Sequence, residues 1–215
     1  MEKVSLQKRI AQALAIPMHK AVVNSRRIET LASLVCAQLP TGELSGVDIG
    51  CGSGELGKRI TELCSWVSVT GTELQPREST LIEVIKGDAE SLPFNDRQFD
   101  FALLIDVLHH TVNPASVLRE AIRVSNRFVL VKDHVCESLI DHVTLSFMDW
   151  VGNRAYDVAL PESYPSSAEW QTLFEQCSVV PTKFNSHLNL YAPPLTLIFD
   201  RKLHFFAKLE RRVSS

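Results

Sequence analysis

The sequence lacks a long hydrophobic run. Its longest apolar stretches, such as Phe101–Ile105, are interrupted by charged residues within a few positions. A membrane-spanning helix needs about 18 or more predominantly apolar residues in a row. We therefore expect no membrane span.

Paired cysteines are also missing. The five cysteines lie at positions 36, 51, 64, 136 and 177, and no two of them form a C-x-x-C pair. Disulfide frameworks and zinc ribbons use even, closely spaced sets of cysteines. We expect neither of these, no metal site, and a cytoplasmic location.

The chain has no overall excess of positive charge, because its net charge is −3. Its basic residues concentrate in residues 1–27, which carry six Lys or Arg and one acidic residue. This stretch is typical of a solvated helix face, with a transit peptide or an anionic-surface contact as alternatives. Outside it no basic stripe with interleaved aromatic residues is found, so we expect no nucleic-acid partner.

The 215 residues, 45% of them hydrophobic and 22% charged, are typical of one globular domain covering 1–215. Residues 1–40 are predicted to form N-terminal helices. Leu6, Ile10 and Leu14 lie four apart and indicate the first helix, and Ser25 is a candidate N-cap for the second.

Beyond residue 42, strand-like and helix-like segments alternate, which indicates an α/β fold with a mostly parallel sheet. The strands read as continuous apolar runs, as parallel strands buried on both faces do. The predicted strands are 47–49, 66–72, 81–85, 99–106 and 127–132, and the predicted helices are 54–64, 76–80, 114–125 and 136–150. After a helix at 167–177, the segments 178–184, 195–199 and 203–208 predict an antiparallel edge, with a turn at 200–202.

A glycine-rich turn, Val47–Gly54, connects the first of these strands to a helix. Glycines let the backbone approach a ligand and present N–H groups at a helix start. Gly50, Gly52 and Gly54 give G-x-G-x-G, and Glu55 stands where the dinucleotide fingerprint has its third glycine. A standard NAD loop is therefore not predicted.

Four acidic residues follow at or near the ends of the first four strands: Asp48, Glu73, Asp88 and Asp106. In a doubly wound sheet these ends meet at one crevice. The glycine loop contains no Lys or Arg, so the acids would repel a pyrophosphate and attract a cationic ligand. A carboxylate in the position of Glu73 can bind ribose hydroxyls. The pattern therefore favours a ligand that combines adenosine with a positive charge.

Taken in order, these motifs resemble those of the class I S-adenosylmethionine-dependent methyltransferases, specifically the type 11 group, over residues 28–135. The matching segments are 47–54, 69–73, 87–94 and 99–110, and the one departure is Leu-Gln-Pro after Glu73. The resemblance implies a Rossmann-like, doubly wound, mostly parallel seven-stranded sheet with an antiparallel C-terminal edge and a helical insert after strand five. It also implies that residues 43–135 bind S-adenosylmethionine, with Glu73 on the ribose, Asp88 on the adenine amino group and Ala89 supplying backbone. The full set of implied cofactor-binding residues is Asp48, Gly50, Cys51, Gly52, Glu73, Asp88, Ala89 and Asp106.

Methyl transfer depends mainly on alignment of the donor and the acceptor, and it needs a base only when the acceptor keeps its proton. His109, His110 and His134 are the candidate bases, with Asp133 beside the last. A structural role, in which the rings of His109 and His110 bond to backbone, is the alternative.

The insert 136–166 is predicted to be a lid over the acceptor, with Phe147, Trp150 and Tyr156 as apolar surface; packing of these rings onto the body is the alternative. The segment 167–215 would supply the C-terminal helix and antiparallel strands. The fourth strand ends in Asp-Val-Leu-His rather than the Asn/Asp-Pro-Pro-aromatic tetrad of adenine methyltransferases. A small-molecule acceptor is therefore favoured.

Two functions other than methyl transfer are alternatives for such a sequence. A nicotinamide-dependent reductase is disfavoured, because no tyrosine is followed four residues later by lysine. A non-catalytic, methyltransferase-like binding subunit would carry the same cofactor motifs and stays an alternative, as does a homodimer.

Overall fold

The computed structural model describes residues 25–153, 164–193 and 195–212. The predicted first helix around Leu6, Ile10 and Leu14 lies outside these residues, and so does Tyr156. Ser25 stands at the first residue of the next helix, where the sequence places its start.

Helices and strands alternate through most of the described chain. In chain order the elements are α1 (Ser25–Cys36), β1 (Leu44–Ile49), α2 (Glu55–Leu63), β2 (Val67–Glu73), β3 (Val84–Lys86), β4 (Phe99–Ile105), a 3-10 turn (Leu108–His110), α3 (Pro114–Val124), β5 (Ser125–His134), α4 (Leu139–Asn153), α5 (Ser167–Gln176), β6 (Val179–Asn185), α6 (Thr196–Phe199) and β7 (His204–Arg211).

The strands form one seven-stranded sheet in the order β3-β2-β1-β4-β5-β7-β6. The first five strands pair in parallel, and β7 is antiparallel to both β5 and β6. This confirms the Rossmann-like sheet with an antiparallel C-terminal part. The strand order reverses beside β1, so the ends of β1 and β4 flank the crevice in which ligands of such sheets bind.

Apolar side chains cover both faces of the sheet. Because successive strand residues point to opposite faces, Leu104 packs with α3 and α5 while Leu103 packs with α1 and α2. Both leucines are fully buried. The double coverage explains why the parallel strands read as continuous apolar runs.

Two predicted elements are wrong. Residues 76–80 form no helix, and Pro76 stands at the start of that segment. Residues 195–199, expected as a strand, form the short helix α6, in which the Phe199 N–H donates to the Leu195 carbonyl at 2.9 Å. The apolar residues there resemble a buried strand, yet Leu197 is 77% exposed. β6 takes the place beside β7 instead.

None of the helices in the described ranges is both long and apolar enough to span a membrane.

Candidate cofactor crevice and histidine cluster

The glycine loop joins β1 to α2 along one side of the crevice. Gly50, Gly52 and Gly54 have φ angles of 72°, 59° and 79°, which strain any residue that has a Cβ. A Cβ on Gly50 would lie 2.8 Å from Val107 Cγ2. The loop therefore contacts the chain that follows β4, and these two segments form the walls of one crevice.

Glu73 ends β2 and points back at the glycine loop. Its Oε1 accepts a hydrogen bond from the Gly52 N–H at 2.7 Å. Its second carboxylate oxygen makes no hydrogen bond within the part of the chain that the structure describes, so it is placed to accept one from a ligand.

Asp48 lies near the end of β1 and is only 3% exposed. Burial raises the pKa of Asp48 to about 7, and the negative charge of Glu73 adds to this effect. Burial also raises the pKa of the Cys51 thiol to about 12, with Asp48 as the next cause. Cys51 is therefore a neutral thiol, while Asp48 exchanges its proton near neutral pH.

The segment predicted to bind adenine follows β3. The Gly87 N–H donates to the Glu73 carbonyl at 3.0 Å, which places this segment beside the end of β2. Asp88 is exposed, and its Oδ1 accepts from the Glu90 N–H at 2.9 Å. Ala89 packs against the core. The adenine roles of Asp88 and Ala89 stay predictions.

Asp106 lies beside two cations, neither of which comes from the glycine loop. Its two carboxylate oxygens contact the Arg27 guanidinium from α1 and the Lys132 ammonium from β5. Burial alone would raise the pKa of Asp106, but Lys132 and Arg27 hold it well below its usual range. The Arg77 guanidinium also lies 3.2 Å from where a Cβ on Gly52 would be. Nothing in the sequence signalled the contact between Arg27 and Asp106, because the two residues are 79 positions apart.

All three predicted catalytic histidines lie in one group beside Asp106, which we call the histidine cluster. It comprises His109, His110, His134, His204, Asp133 and Asp149. The sequence predicted proximity for the first three histidines, and the fold brings them together from the 3-10 turn and β5.

His109 is held by Asp133. Its side chain is fully buried, and its Nδ1 donates to Asp133 Oδ1 at 2.5 Å. The other oxygen of Asp133 accepts from the Leu108 N–H at 3.1 Å. Burial alone would lower the pKa of His109, but the charge of Asp133 raises it to about 10. The ring of His109 is therefore hydrogen-bonded to a carboxylate. The alternative of a structural role predicts a hydrogen bond to backbone instead.

His134 and His204 face each other across β5 and β7, with 3.0 Å between their Nδ1 atoms, so that one ring donates and the other accepts. Burial lowers the pKa of both, and the charge of Lys132 adds to it. His110 is only half-buried, and its ring centroid lies 3.9 Å from that of His109. Burial and the neighbouring His109 lower its pKa. His110 is therefore the most accessible of the three predicted bases.

Sequence reasoning named none of Asp149, Tyr164 and His204 as a catalytic or cofactor-binding residue. The Tyr164 hydroxyl donates to Asp149 Oδ2 at 2.6 Å, and Asp149 lies on α4 with 8% exposure. Burial opposes ionisation, but the nearby rings of His109 and His134 hold the pKa of Asp149 well below its usual range. For Asp149, the sequence signal of a buried functional role was its position as an acidic residue within the otherwise apolar stretch Phe147-Met-Asp-Trp.

These contacts place part of the insert against the ends of β4 and β5. Asp149 reaches the histidine cluster from α4, whereas Phe147 is 53% exposed. The side chain of Trp150 and all of Tyr156 lie outside the described residues. The crevice thus has the glycine loop and Glu73 on one side and, beside them, a buried group of ionisable side chains.

Residues 47–127 match the family model described as "Methyltransferase domain". The match begins at the glycine loop and includes Glu73, Asp88 and the 3-10 turn. Residues 47–127 are thus a methyltransferase domain, on the fold of the class I S-adenosylmethionine-dependent methyltransferases. S-adenosylmethionine is the methyl donor of this family.

Curated proteins resemble this methyltransferase domain over different lengths. An uncharacterized protein of Methanocaldococcus jannaschii is 35% identical over 89 residues, covering 41% of this chain and 42% of that protein. The phthiotriol/phenolphthiotriol dimycocerosates methyltransferase of Mycobacterium leprae is 26% identical over 120 residues, covering 52% and 44%. The chain thus matches less than half the length of these relatives. The tRNA (carboxymethyluridine(34)-5-O)-methyltransferase of Schizosaccharomyces pombe is 25% identical over 177 residues, covering 80% and 71%.

Among solved structures, a putative methyltransferase of Haloferax volcanii, in complex with the Trm112 methyltransferase activator, has a TM-score of 0.67 at 16% identity. The match covers 94% of this chain and 97% of that one. At this identity the likeness supports the methyltransferase fold.

Proposed function

We propose that this chain transfers the methyl group of S-adenosylmethionine to a small organic acceptor. The observation that carries the proposal is the Gly52 N–H to Glu73 hydrogen bond of 2.7 Å within a segment that matches a methyltransferase domain. That bond fixes a carboxylate beside the glycine loop, where it can accept from the cofactor ribose.

The proposed cofactor site follows the crevice from β1 to β3. Gly50, Cys51 and Gly52 supply backbone to the methionine and ribose, and Glu73 binds the ribose hydroxyls. Asp88 accepts from the adenine amino group, and Ala89 supplies backbone beside it. Asp48 and Asp106 contribute negative charge near the sulfonium, although the net contribution of Asp106 is reduced by Arg27 and Lys132.

The acceptor is proposed to lie between the ends of β4 and β5 and the insert 136–166. The cofactor extends from β1 towards β3, so its methyl group points towards β4, where the histidine cluster lies. For an acceptor that keeps its proton, His110 is the proposed base, because it is more accessible than His109 and His134, which are buried. The exposed Phe147 offers apolar surface on this side.

Cofactor binding is tested by calorimetry with S-adenosylhomocysteine and NAD. We expect binding of the former and weaker or no binding of NAD. Glu73→Ala should weaken S-adenosylhomocysteine binding at least tenfold, since a charge-assisted hydrogen bond is worth about 1.5–3 kcal/mol. Glu83→Ala, which removes an exposed acid just before β3, is the matched control. Unchanged affinity in Glu73→Ala, or tighter binding of NAD, would contradict the proposed site.

The acceptor class is tested by measuring S-adenosylhomocysteine release with three panels: small organic acceptors, lipids and tRNA. Turnover of small molecules alone supports the proposal, whereas turnover of lipid or tRNA alone would assign the acceptor class of the mycobacterial or the yeast relative instead. With a hydroxyl acceptor, His110→Gln should lower kcat by about 100-fold or more, as loss of a general base does, and spare cofactor affinity. Unchanged kcat would remove His110 from the mechanism.

A second candidate is a methyltransferase-like subunit that depends on a partner, and the Haloferax structure with its activator favours testing it. The same release assay is repeated with a Trm112 protein added. Cofactor binding without turnover in any panel, with or without the activator, would support the non-catalytic alternative.

A further inference from the structure

Three separations of equal length occur between ring nitrogens and carboxylate oxygens in and beside the histidine cluster. His109 Nε2 is 3.6 Å from Asp149 Oδ2, and His134 Nε2 is 3.6 Å both from Asp149 Oδ1 and from Asp106 Oδ1. Each gap is too long for a hydrogen bond. The ligand atoms of Asp106, His109 and His134 all lie within 4.8 Å of one another, as do those of His109, His110 and Asp149.

His109 Nε2 is a buried nitrogen without a hydrogen-bond partner among the described residues. Its side chain has no exposed surface. A buried ring nitrogen left without a partner costs about 1–3 kcal/mol, and such an atom needs an explanation. The atom faces Asp149 across one of the gaps, so the missing partner belongs in that space.

The gaps match the spacing of metal ligands. In a tetrahedral zinc site the bonds to nitrogen and carboxylate oxygen are about 2.0–2.2 Å, which puts the ligand atoms about 3.3–3.6 Å apart. Two imidazoles with carboxylate oxygens form a ligand set that suits Zn²⁺, and also Fe²⁺ or Mn²⁺. Hydrogen-bonded side chains, by contrast, would have closed to about 3 Å.

The hydrogen bonds around His109 resemble those that hold the histidine ligands of metal sites in place. Metal-bound histidines usually donate their other ring N–H to a carboxylate, which fixes the ring. Here Asp133 accepts from Nδ1 and is itself held by the Leu108 N–H. Asp149 is fixed in the same way by the Tyr164 hydroxyl at 2.6 Å.

The charges of the region also favour a cation. Three carboxylates, Asp106, Asp133 and Asp149, lie near two basic side chains, Arg27 and Lys132, which both contact Asp106. With neutral histidines the group carries one net negative charge. Either a proton on His109 or a bound cation can compensate for it, and the two compete for the same Nε2 atom.

We propose that the histidine cluster binds one divalent transition-metal ion through His109 Nε2, His134 Nε2 and the carboxylate of Asp149, with Asp106 adjacent. Sequence spacing gave no sign of this site, because its ligands come from the 3-10 turn, β5 and α4. The site lies beside the cofactor crevice but does not depend on methyl transfer.

The test uses the full chain, stripped with chelator and then titrated with CoCl₂ and with ZnCl₂ alone. We expect one ion per chain and visible Co²⁺ bands of a nitrogen and oxygen environment. Binding should release a proton, which is measured by calorimetry in buffers of different ionisation enthalpy. Thiolate-to-cobalt charge-transfer bands would instead place the ion on a cysteine and overturn the proposal.

Variants then locate the ion. Asp133→Asn should weaken binding about 10- to 100-fold, as loss of an outer-layer carboxylate does, and His134→Gln and Asp149→Asn at least as much. The exposed His187→Gln is the matched control and should leave affinity unchanged. Should a variant fail to fold, the stoichiometry and the Co²⁺ spectrum of the unmodified chain still decide. Absence of binding at 100 µM metal, or unaltered affinity in the folded His134→Gln and Asp149→Asn variants, would show that the proton on His109 is the occupant.

Discussion

Asp48 should make the stability of the ligand-free protein fall as the pH rises. Burial and the charge of Glu73 raise its pKa from 3.8 to about 7 in the folded state. The folded state therefore binds the proton more tightly than the unfolded state does. The stabilising effect is fully present below pH 3.8 and is lost as the pH rises through 7.

The magnitude follows from these two values. With an unfolded pKa of 3.8 and a folded pKa of about 7, linkage gives a loss of about 2–3 kcal/mol between pH 5 and pH 8. Asp48→Asn keeps the shape of the side chain and removes its titration. Between pH 5 and pH 8 the free energy of unfolding of the variant should therefore rise by about 2–3 kcal/mol relative to that of the unmodified protein.

The assay is urea unfolding of both proteins at pH 5, 6, 7 and 8, without cofactor, and the quantity compared is their difference in unfolding free energy. Glu43→Gln, which removes an exposed acid just before β1, controls for the loss of one negative charge. A difference between Asp48→Asn and the unmodified protein that stays constant from pH 5 to pH 8 would refute the reasoning.

Three further changes probe other parts of the fold. Gly50→Ala forces a Cβ to within 2.8 Å of Val107 at a φ of 72°, so it should cost about 1–3 kcal/mol in urea unfolding and weaken cofactor binding; full retention of both would contradict the described loop. Lys132→Met removes a buried partner of Asp106 and should cost about 3–5 kcal/mol; a loss below about 1 kcal/mol would mean that Arg27 alone suffices. Ser166→Ala breaks the capping box of α5 and should lower stability by about 1 kcal/mol while cofactor affinity in calorimetry stays unchanged; an equal loss of affinity would tie α5 to the crevice.

The cofactor half of the molecule was predictable because its signals are local. The glycine loop follows its strand directly, and Glu73 ends the next strand, so the rule that parallel strand ends converge was enough to place them together. An antiparallel C-terminal part of the sheet was predicted, but the position of β7 between β5 and β6 was not. Leu195–Phe199 has the composition of a strand, and only the tertiary structure, which leaves Leu197 exposed, distinguishes it from one.

The histidine cluster shows the opposite case. His109, His110 and His134 were candidates because they follow strands, whereas Asp149 and His204 had no comparable signal. His204 is 70 positions from the His134 ring that it faces. The ion pair between Arg27 and Asp106 could not be predicted from the sequence either, because it depends on where α1 packs rather than on any local pattern.

The position of β7 inside the sheet has a consequence for the order in which the molecule is completed during synthesis. β7 occupies the place between β5 and β6, although it is the last strand of the described chain. Until residues 204–211 leave the ribosome, β5 keeps an open hydrogen-bonding edge and His134 lacks the His204 ring. Such late, non-local pairing is slow to form and leaves an unpaired edge exposed to other chains. The nascent chain can thus assemble the glycine loop and β1–β4 early, while the cluster beside them is completed only after β7 has been synthesised.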